Sequence, residues 1–212
     1  MLEALSHRIY MTEEKNVKFN GKNLFYRYLS RAENSKNILF LHGFSFTSGD
    51  WERIKAMNHF ADLGYNVYAP DYPGFGKSEK NENFSVERGE LENARLFAQT
   101  FMEFHNIKKY SILGASMGGG MAVLGALNFP ETVEEMILVG PAWVNSSMLM
   151  KLEMKTLFIW GENDNVVPYD ELIKDIGRKT NFSYEIVKKA GHPAYLDQPE
   201  EFFKIVDKFL KK

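Results

Sequence analysis

The sequence predicts a single α/β domain, a mostly parallel twisted sheet with helices covering both faces. Three observations carry that expectation. Short apolar runs alternate with helical patterns along the chain, which is how strand–helix–strand units read. Runs such as Asn37-Ile38-Leu39-Phe40-Leu41 are almost continuously apolar, as strands buried on both faces must be. A third run, Tyr110-Ser111-Ile112-Leu113, leads into Gly114-Ala115-Ser116-Met117-Gly118, a G-x-S-x-G pentapeptide set between a strand and a helical pattern.

Taken in order, residues 17–19 and 24–29 read as two strands joined at Asn20-Gly21, a dipeptide that favours tight hairpins. The strand over 37–41 runs into His42-Gly43-Phe44-Ser45-Phe46, and a helix is expected over 51–63, stopped by Gly64. A short strand at 67–69 precedes the turn-rich Asp71-Tyr72-Pro73-Gly74-Phe75-Gly76-Lys77-Ser78. A polar loop over 79–85 leads to an amphipathic helix over 86–105, then to the strand that ends at Ser116 and a helix reaching Phe129. There follow a strand over 136–139, a connector over 140–155 with one helical turn near 148–152, and a buried strand over 156–160. The last part holds Gly161-Glu162-Asn163-Asp164-Asn165-Val166-Val167-Pro168, a helix over 169–176, a strand over 183–187, a loop over 188–198 and a helix over 199–210. No repeat, linker or low-complexity tract divides it. Residues 1–212 are expected to be one domain, with 1–15 a variable N-terminal extension.

At 212 residues, 44% hydrophobic and 14% aromatic, the chain can bury a sizeable core. A net charge of −2 argues against an electrostatic nucleic-acid surface. The absence of cysteine excludes disulfides, a thiolate nucleophile and a cysteine zinc site. The first 15 residues lack the continuous apolar core of a signal peptide, and no apolar run has the length to cross a bilayer. The expectation is a soluble cytoplasmic protein with no metal or cofactor, whose partner is a small molecule rather than nucleic acid or membrane. Oligomeric state is not legible.

The pentapeptide has a physical reading. A serine on so sharp a turn has a strained backbone, and side chains two residues to either side of it would collide with neighbouring chain, so glycine stands at 114 and 118. The turn lifts the Ser116 hydroxyl clear of the sheet and aims the Met117 amide, at the start of the next helix, into the same space. A serine hydroxyl is a poor nucleophile at neutral pH and needs a general base, itself oriented by a carboxylate. Five histidines compete for that role. His7 lies in the charged N-terminal stretch, His59 and His105 fall within helical patterns, and the context of His42 suits shaping of the adjoining turn. His192, in Ala190-Gly191-His192-Pro193 after the last strand, sits on a loop able to reach the elbow. For the carboxylate, Asp164 follows the strand over 156–160, with Glu162, Asp170 and Asp71 as rivals.

Taken together, Leu41-His42-Gly43-Phe44, the 71–78 turn, the serine elbow, the 161–168 segment and Ala190-Gly191-His192 resemble the α/β-hydrolase family along nearly the whole chain, in the family's order Ser, Asp, His. The compact length and the segment Gly191-His192-Pro193-Ala194-Tyr195-Leu196-Asp197-Gln198-Pro199-Glu200-Glu201 are similar to the small lidless hydrolases related to CCG1-interacting factor B. The resemblance implies a sheet of about eight strands with no cap domain. It also implies Ser116 as nucleophile, His192 as base, Asp164 as its orienter, and an oxyanion hole from the backbone amides of Phe44 and Met117. A serine at the elbow counts against the dehalogenase and epoxide hydrolase chemistries that use aspartate there.

Many relatives insert a helical cap where this chain has only residues 140–155. The pocket is therefore expected to be shallow and open, framed by Phe44, Ser45, Phe46, Trp143 and Val166. The activity implied is hydrolysis of small acyl esters through an acyl-enzyme. The same machinery serves a thioesterase, an N-acyl or amide hydrolase, an acyltransferase or a perhydrolase. A non-catalytic interaction module is the third reading, and it leaves the retention of all three residues without a purpose.

Overall fold

A computed structural model of the chain describes residues 10–32, 35–86 and 96–211. Eight strands form one sheet in the order β1 (Glu13–Phe19), β2 (Lys22–Leu29), β4 (Tyr65–Pro70), β3 (Lys36–Leu41), β5 (Tyr110–Ala115), β6 (Val133–Val139), β7 (Lys155–Gly161) and β8 (Phe182–Val187). Only β2 runs against its neighbours, so β3 to β8 are parallel to one another. The β1–β2 hairpin turns at Asn20 and Gly21, whose φ values of 48° and 80° are both positive, as a tight two-residue turn of this hand requires.

Because side chains alternate along a strand, each central strand feeds two cores. In β3, Leu39 and Leu41 enter one layer and Ile38 and Phe40 the other, and all four are fully buried. The first layer is covered by α3 (Phe97–Phe104), α4 (Met117–Asn128), α5 (Ser146–Lys151) and α6 (Asp170–Ile176). The second is covered by α1 (Ser48–Arg53), α2 (Ala56–Asp62), α7 (Ala194–Asp197) and α8 (Pro199–Leu210). Between β6 and β7 there is only α5, so among the described residues no separate cap domain stands over the sheet.

Three expectations need correction. The helix expected over 51–63 is two helices, α1 and α2, because Lys55 adopts the left-handed conformation at φ 60°. It also starts earlier, at a capping box in which Thr47 Oγ1 accepts from the Gly49 amide and Asp50 Oδ2 accepts from the Thr47 amide. The loop expected over 188–198 contains α7. Glu13, Glu14 and Lys15, expected within the extension over 1–15, instead pair with Tyr28, Arg27 and Tyr26 in the sheet. Residues 1–9 and positions 87–95 of the helix expected over 86–105 lie outside the described residues, and α3 begins at Phe97.

Candidate active site

The carboxyl ends of the parallel strands bring the loops after β3, β5, β6, β7 and β8 to one edge of the sheet, where open α/β sheets bind ligands. Ser116 follows β5 directly, at φ 51° and ψ −115°, and α4 starts on the next residue. That conformation is held from both sides. The Ser116 amide donates to Val139 O at 2.8 Å, and its carbonyl accepts from the amides of Gly120 and Ala142 at 3.0 Å each. The flanking glycines leave no room for side chains. A Cβ on Gly114 would lie 2.6 Å from Gly118 O, and one on Gly118 would overlap the Leu41 carbonyl.

His192 stands over this serine. Its Nε2 is 2.8 Å from Ser116 Oγ, and its Nδ1 is 2.8 Å from Asp164 Oδ2. With a carboxylate accepting at Nδ1, the ring proton sits there and Nε2 is left to accept from the hydroxyl. Asp164 is fixed in turn, since its other oxygen accepts from the amides of Val166 and Val167 at 2.9 Å each. The carboxylate has no solvent exposure and the imidazole is 14% exposed. The structure thus brings three of the expected site residues, from three separate loops, into one relay.

Sequence reasoning missed a support beneath that relay. Gly140 follows β6 at φ 49°, and a Cβ there would lie 3.1 Å from Asp164 Oδ2, His192 Nδ1 and His192 Cε1. Gly140→Ala should therefore strain the backbone and push the imidazole and carboxylate apart, lowering turnover by about 10²-fold, the scale set by displacements of about 1 Å. Steady-state kinetics on the folded variant measure this, and turnover equal to wild type would mean the pair moves freely aside.

The rival residues have other duties. His42 is fully buried. Its Nε2 accepts from the Tyr72 amide at 3.1 Å, so Nδ1–H donates to Gly43 O at 2.8 Å, pinning the turn that carries Phe44. Asp71 accepts from the amides of Ser48 (2.7 Å) and Lys77 (2.9 Å), bracing the next turn. His59 pairs with Asp207 at 2.7 Å and stacks on Phe203. His105 packs among Tyr26, Tyr68 and Phe101. Glu162 Oε2 accepts from the Lys189 amide at 3.1 Å, away from the imidazole. Asp170 begins α6, and His7 lies outside the described residues.

Burial pushes the His42 pKa down, against the opposing pull of its bond to Gly43 and the carboxylates of Asp71 and Asp50. The unfolded chain then binds this proton more readily than the folded one. The stabilising contribution is complete above the ordinary imidazole value of about 6.5 and is lost as pH falls below it, by at most about 1.4 kcal/mol per pH unit. Urea midpoints of wild type and His42→Gln should thus converge as pH is lowered from about 7.5 to 5. A gap independent of pH would contradict a neutral buried imidazole.

Beside Ser116 opens a cleft of about 890 Å³. Of the residues expected to frame the pocket, Phe44, Trp143 and Val166 line it together with Met117, whereas Ser45 and Phe46 do not. Ser45 faces solvent on its turn, and Phe46 is turned back to Tyr195, with ring centroids 6.3 Å apart. Sequence reasoning overlooked Asn145, Ser146, Asp170, Glu171 and Leu172, which also line the cleft. These come from the connector and from α6, and no local motif ties them to the elbow. Among the described residues, no hydrogen bond within the protein uses the amides of Phe44 or Met117. Likewise among the described residues, no group of three or more histidines and carboxylates is placed to hold a metal ion, and no helix is long and apolar enough to cross a membrane.

Comparison with known proteins bears on the fold and the family. Residues 36–150 match the family described as alpha/beta hydrolase fold. A "predicted CIB-like hydrolase" from Thermoplasma acidophilum superposes with a TM-score of 0.90 at 38% identity, covering 95% of this chain and 99% of its own. The "Putative protein-lysine deacylase ABHD14B" of Rattus norvegicus is 26% identical over 207 residues, 94% of this chain and 96% of that protein. A 2-hydroxy-6-oxo-6-phenylhexa-2,4-dienoate hydrolase of Burkholderia cepacia is 34% identical over 147 residues, 68% of this chain and 50% of that protein. The sheet order, the serine elbow and the family match over more than half its length lead to one conclusion: the chain belongs to the α/β-hydrolase family.

Proposed function

We propose that this hydrolase is a serine esterase that cleaves small acyl esters through an acyl-enzyme. The observation that carries the reading is the relay from Ser116 Oγ through His192 to Asp164, with both contacts at 2.8 Å. Ser116 Oγ attacks the ester carbonyl carbon while its proton passes to His192 Nε2. The oxyanion of the tetrahedral intermediate is received by the amides of Met117 and Phe44, and Asp164 steadies the imidazolium. Collapse breaks the carbon–oxygen bond, and His192 gives its proton to the departing alcohol. Water then enters, loses a proton to His192 and attacks the acyl carbon. Release of the acid returns the proton to Ser116.

A fluorophosphonate probe should label the wild type at Ser116 and leave Ser116→Ala unmodified. The lack of a cap bears on substrate size. Although the cleft is wide, the carboxylates of Asp170 and Glu171 stand in its lining together with the apolar Trp143, Val144 and Leu172. A long acyl chain would run past carboxylates or out into water, forgoing about 0.8 kcal/mol per unburied methylene. On p-nitrophenyl esters below the critical micelle concentration, kcat/KM should peak from acetyl to butyryl and fall by octanoyl. A rise through decanoyl would overturn the size preference.

A second reading, an N-acyl hydrolase acting on acylated lysine, is favoured by the likeness to ABHD14B along 94% of this chain. It uses the same proton transfers, with an amine as the leaving group. Comparing acetyl esters with N-acetyl-lysine amides decides between the two.

A further inference from the structure

Resting on the reading of His192 as the base, we propose that Asp197 is its positioning residue. The Asp197 carboxylate holds the peptide immediately before His192 where the imidazole can reach Ser116.

β8 ends at Val187, so residues 188–192 cross to the site beyond the end of the sheet. Their backbone is held at three consecutive residues. Lys189, at φ 60°, donates its amide to Glu162 Oε2 at 3.1 Å, and Ala190 O accepts from the Asn163 amide at 2.9 Å. Those two ties join the loop of the base to the loop that carries Asp164. The third runs the other way. The Gly191 amide donates to Asp197 Oδ2 at 2.7 Å, six residues along the chain. The chain turns directly after His192, because Pro193 O accepts from the amides of Leu196 and Asp197 at 2.7 and 3.1 Å. That turn, α7, carries Asp197 back over Gly191. The bond therefore closes a ring of backbone with His192 inside it.

The ring fixes the point from which the imidazole projects. Peptide rotation at Gly191 displaces Nε2 from Ser116 Oγ, and the relay tolerates little displacement because both its contacts are 2.8 Å. An ionised acceptor makes a stronger bond to a backbone amide than a neutral one. Asp197 is exposed, so its effect on His192 as a distant charge is screened by water, and its hold on the loop is the hydrogen bond to Gly191. A simpler role at the start of α8 would lower stability and leave turnover of the folded protein alone. The two roles therefore separate in kinetics.

Asp197→Ala should lower kcat on p-nitrophenyl acetate by between about 10- and 100-fold with KM nearly unchanged, as expected for lost alignment. Exchange of the Gly191 amide proton should accelerate in the same variant. Asp197→Asn keeps a carbonyl oxygen to accept that amide and should recover most of the lost kcat. The proposal is overturned if the alanine variant turns over within about twofold of wild type. It is also overturned if the asparagine variant is as impaired as the alanine one, or if the loss follows the unfolded fraction. A wild type that neither reacts with a fluorophosphonate nor hydrolyses esters sinks the hydrolase reading itself. An active wild type with a normal Asp197→Ala sinks only the anchor.

Discussion

Replacing Ser116 with alanine is expected to lower kcat by about 10⁶, roughly 8 kcal/mol of transition-state stabilisation. The variant loses the oxygen proposed to form the acyl-enzyme and the partner of His192 Nε2, but none of the bonds that hold the turn. Those bonds come from backbone, namely the Ser116 amide to Val139 O and the Ser116 carbonyl to the amides of Gly120 and Ala142. Whatever rate is left comes from the free amides and the cleft, acting on water as the nucleophile. Alanine also keeps the positive φ of 51°, so the strain of the elbow remains. Ser116→Gly should be equally inactive yet about 1 kcal/mol more stable than Ser116→Ala, because glycine adopts that backbone without penalty. Turnover of p-nitrophenyl acetate and urea midpoints measure both effects. Rates within tenfold of wild type in the alanine variant would remove Ser116 from the chemistry, and the proposed function with it.

The central strands were legible in the sequence because buried parallel strands leave short apolar runs bounded by turn residues. Ile38 to Leu41 and Leu157 to Trp160 are of this kind. The break at Lys55 was not legible, since a lysine in the left-handed conformation carries no local signal and an apolar pattern continues on both sides of it. In the site, Ser116 could be singled out because its signal is local in sequence, a glycine two residues to either side, where a side chain at 114 would meet the Gly118 backbone and one at 118 the Leu41 carbonyl. His192 and Asp164 stood out by their place after strands. Gly140 and Asp197 were missed for the opposite reason. Gly140 matters through residues 24 and 52 positions further on, and Asp197 through a turn, α7, inside a stretch that reads as loop. Phe46 and Ser45 were misplaced because proximity in sequence to Phe44 says nothing of which way a short turn faces. The cleft wall from Asn145 to Glu171 depends on the packing of α5 against α6, which is tertiary throughout.

Asp164→Asn should cost about 10⁴ in kcat, some 5.5 kcal/mol, while leaving the fold intact. The size of the effect follows from the way the carboxylate is held. Oδ1 accepts from two backbone amides, Val166 and Val167, so a replacement carboxamide must place its own oxygen there or leave two donors facing an NH₂ group. The NH₂ then faces His192 Nδ1, which has to accept, and the ring proton moves to Nε2. An imidazole protonated at Nε2 cannot take the Ser116 proton, so attack waits for the rare tautomer. Asn also carries no charge to steady the imidazolium. The control is Glu162→Gln. Glu162 accepts from the exposed Lys189 amide rather than from the imidazole, and glutamine retains an acceptor for it. Its loss should be far smaller than that of Asp164→Asn. Both variants are to be compared at equal folded concentration on the same acetyl ester. If Glu162→Gln proves crippled while Asp164→Asn runs near the wild-type rate, the carboxylate behind His192 has been misassigned.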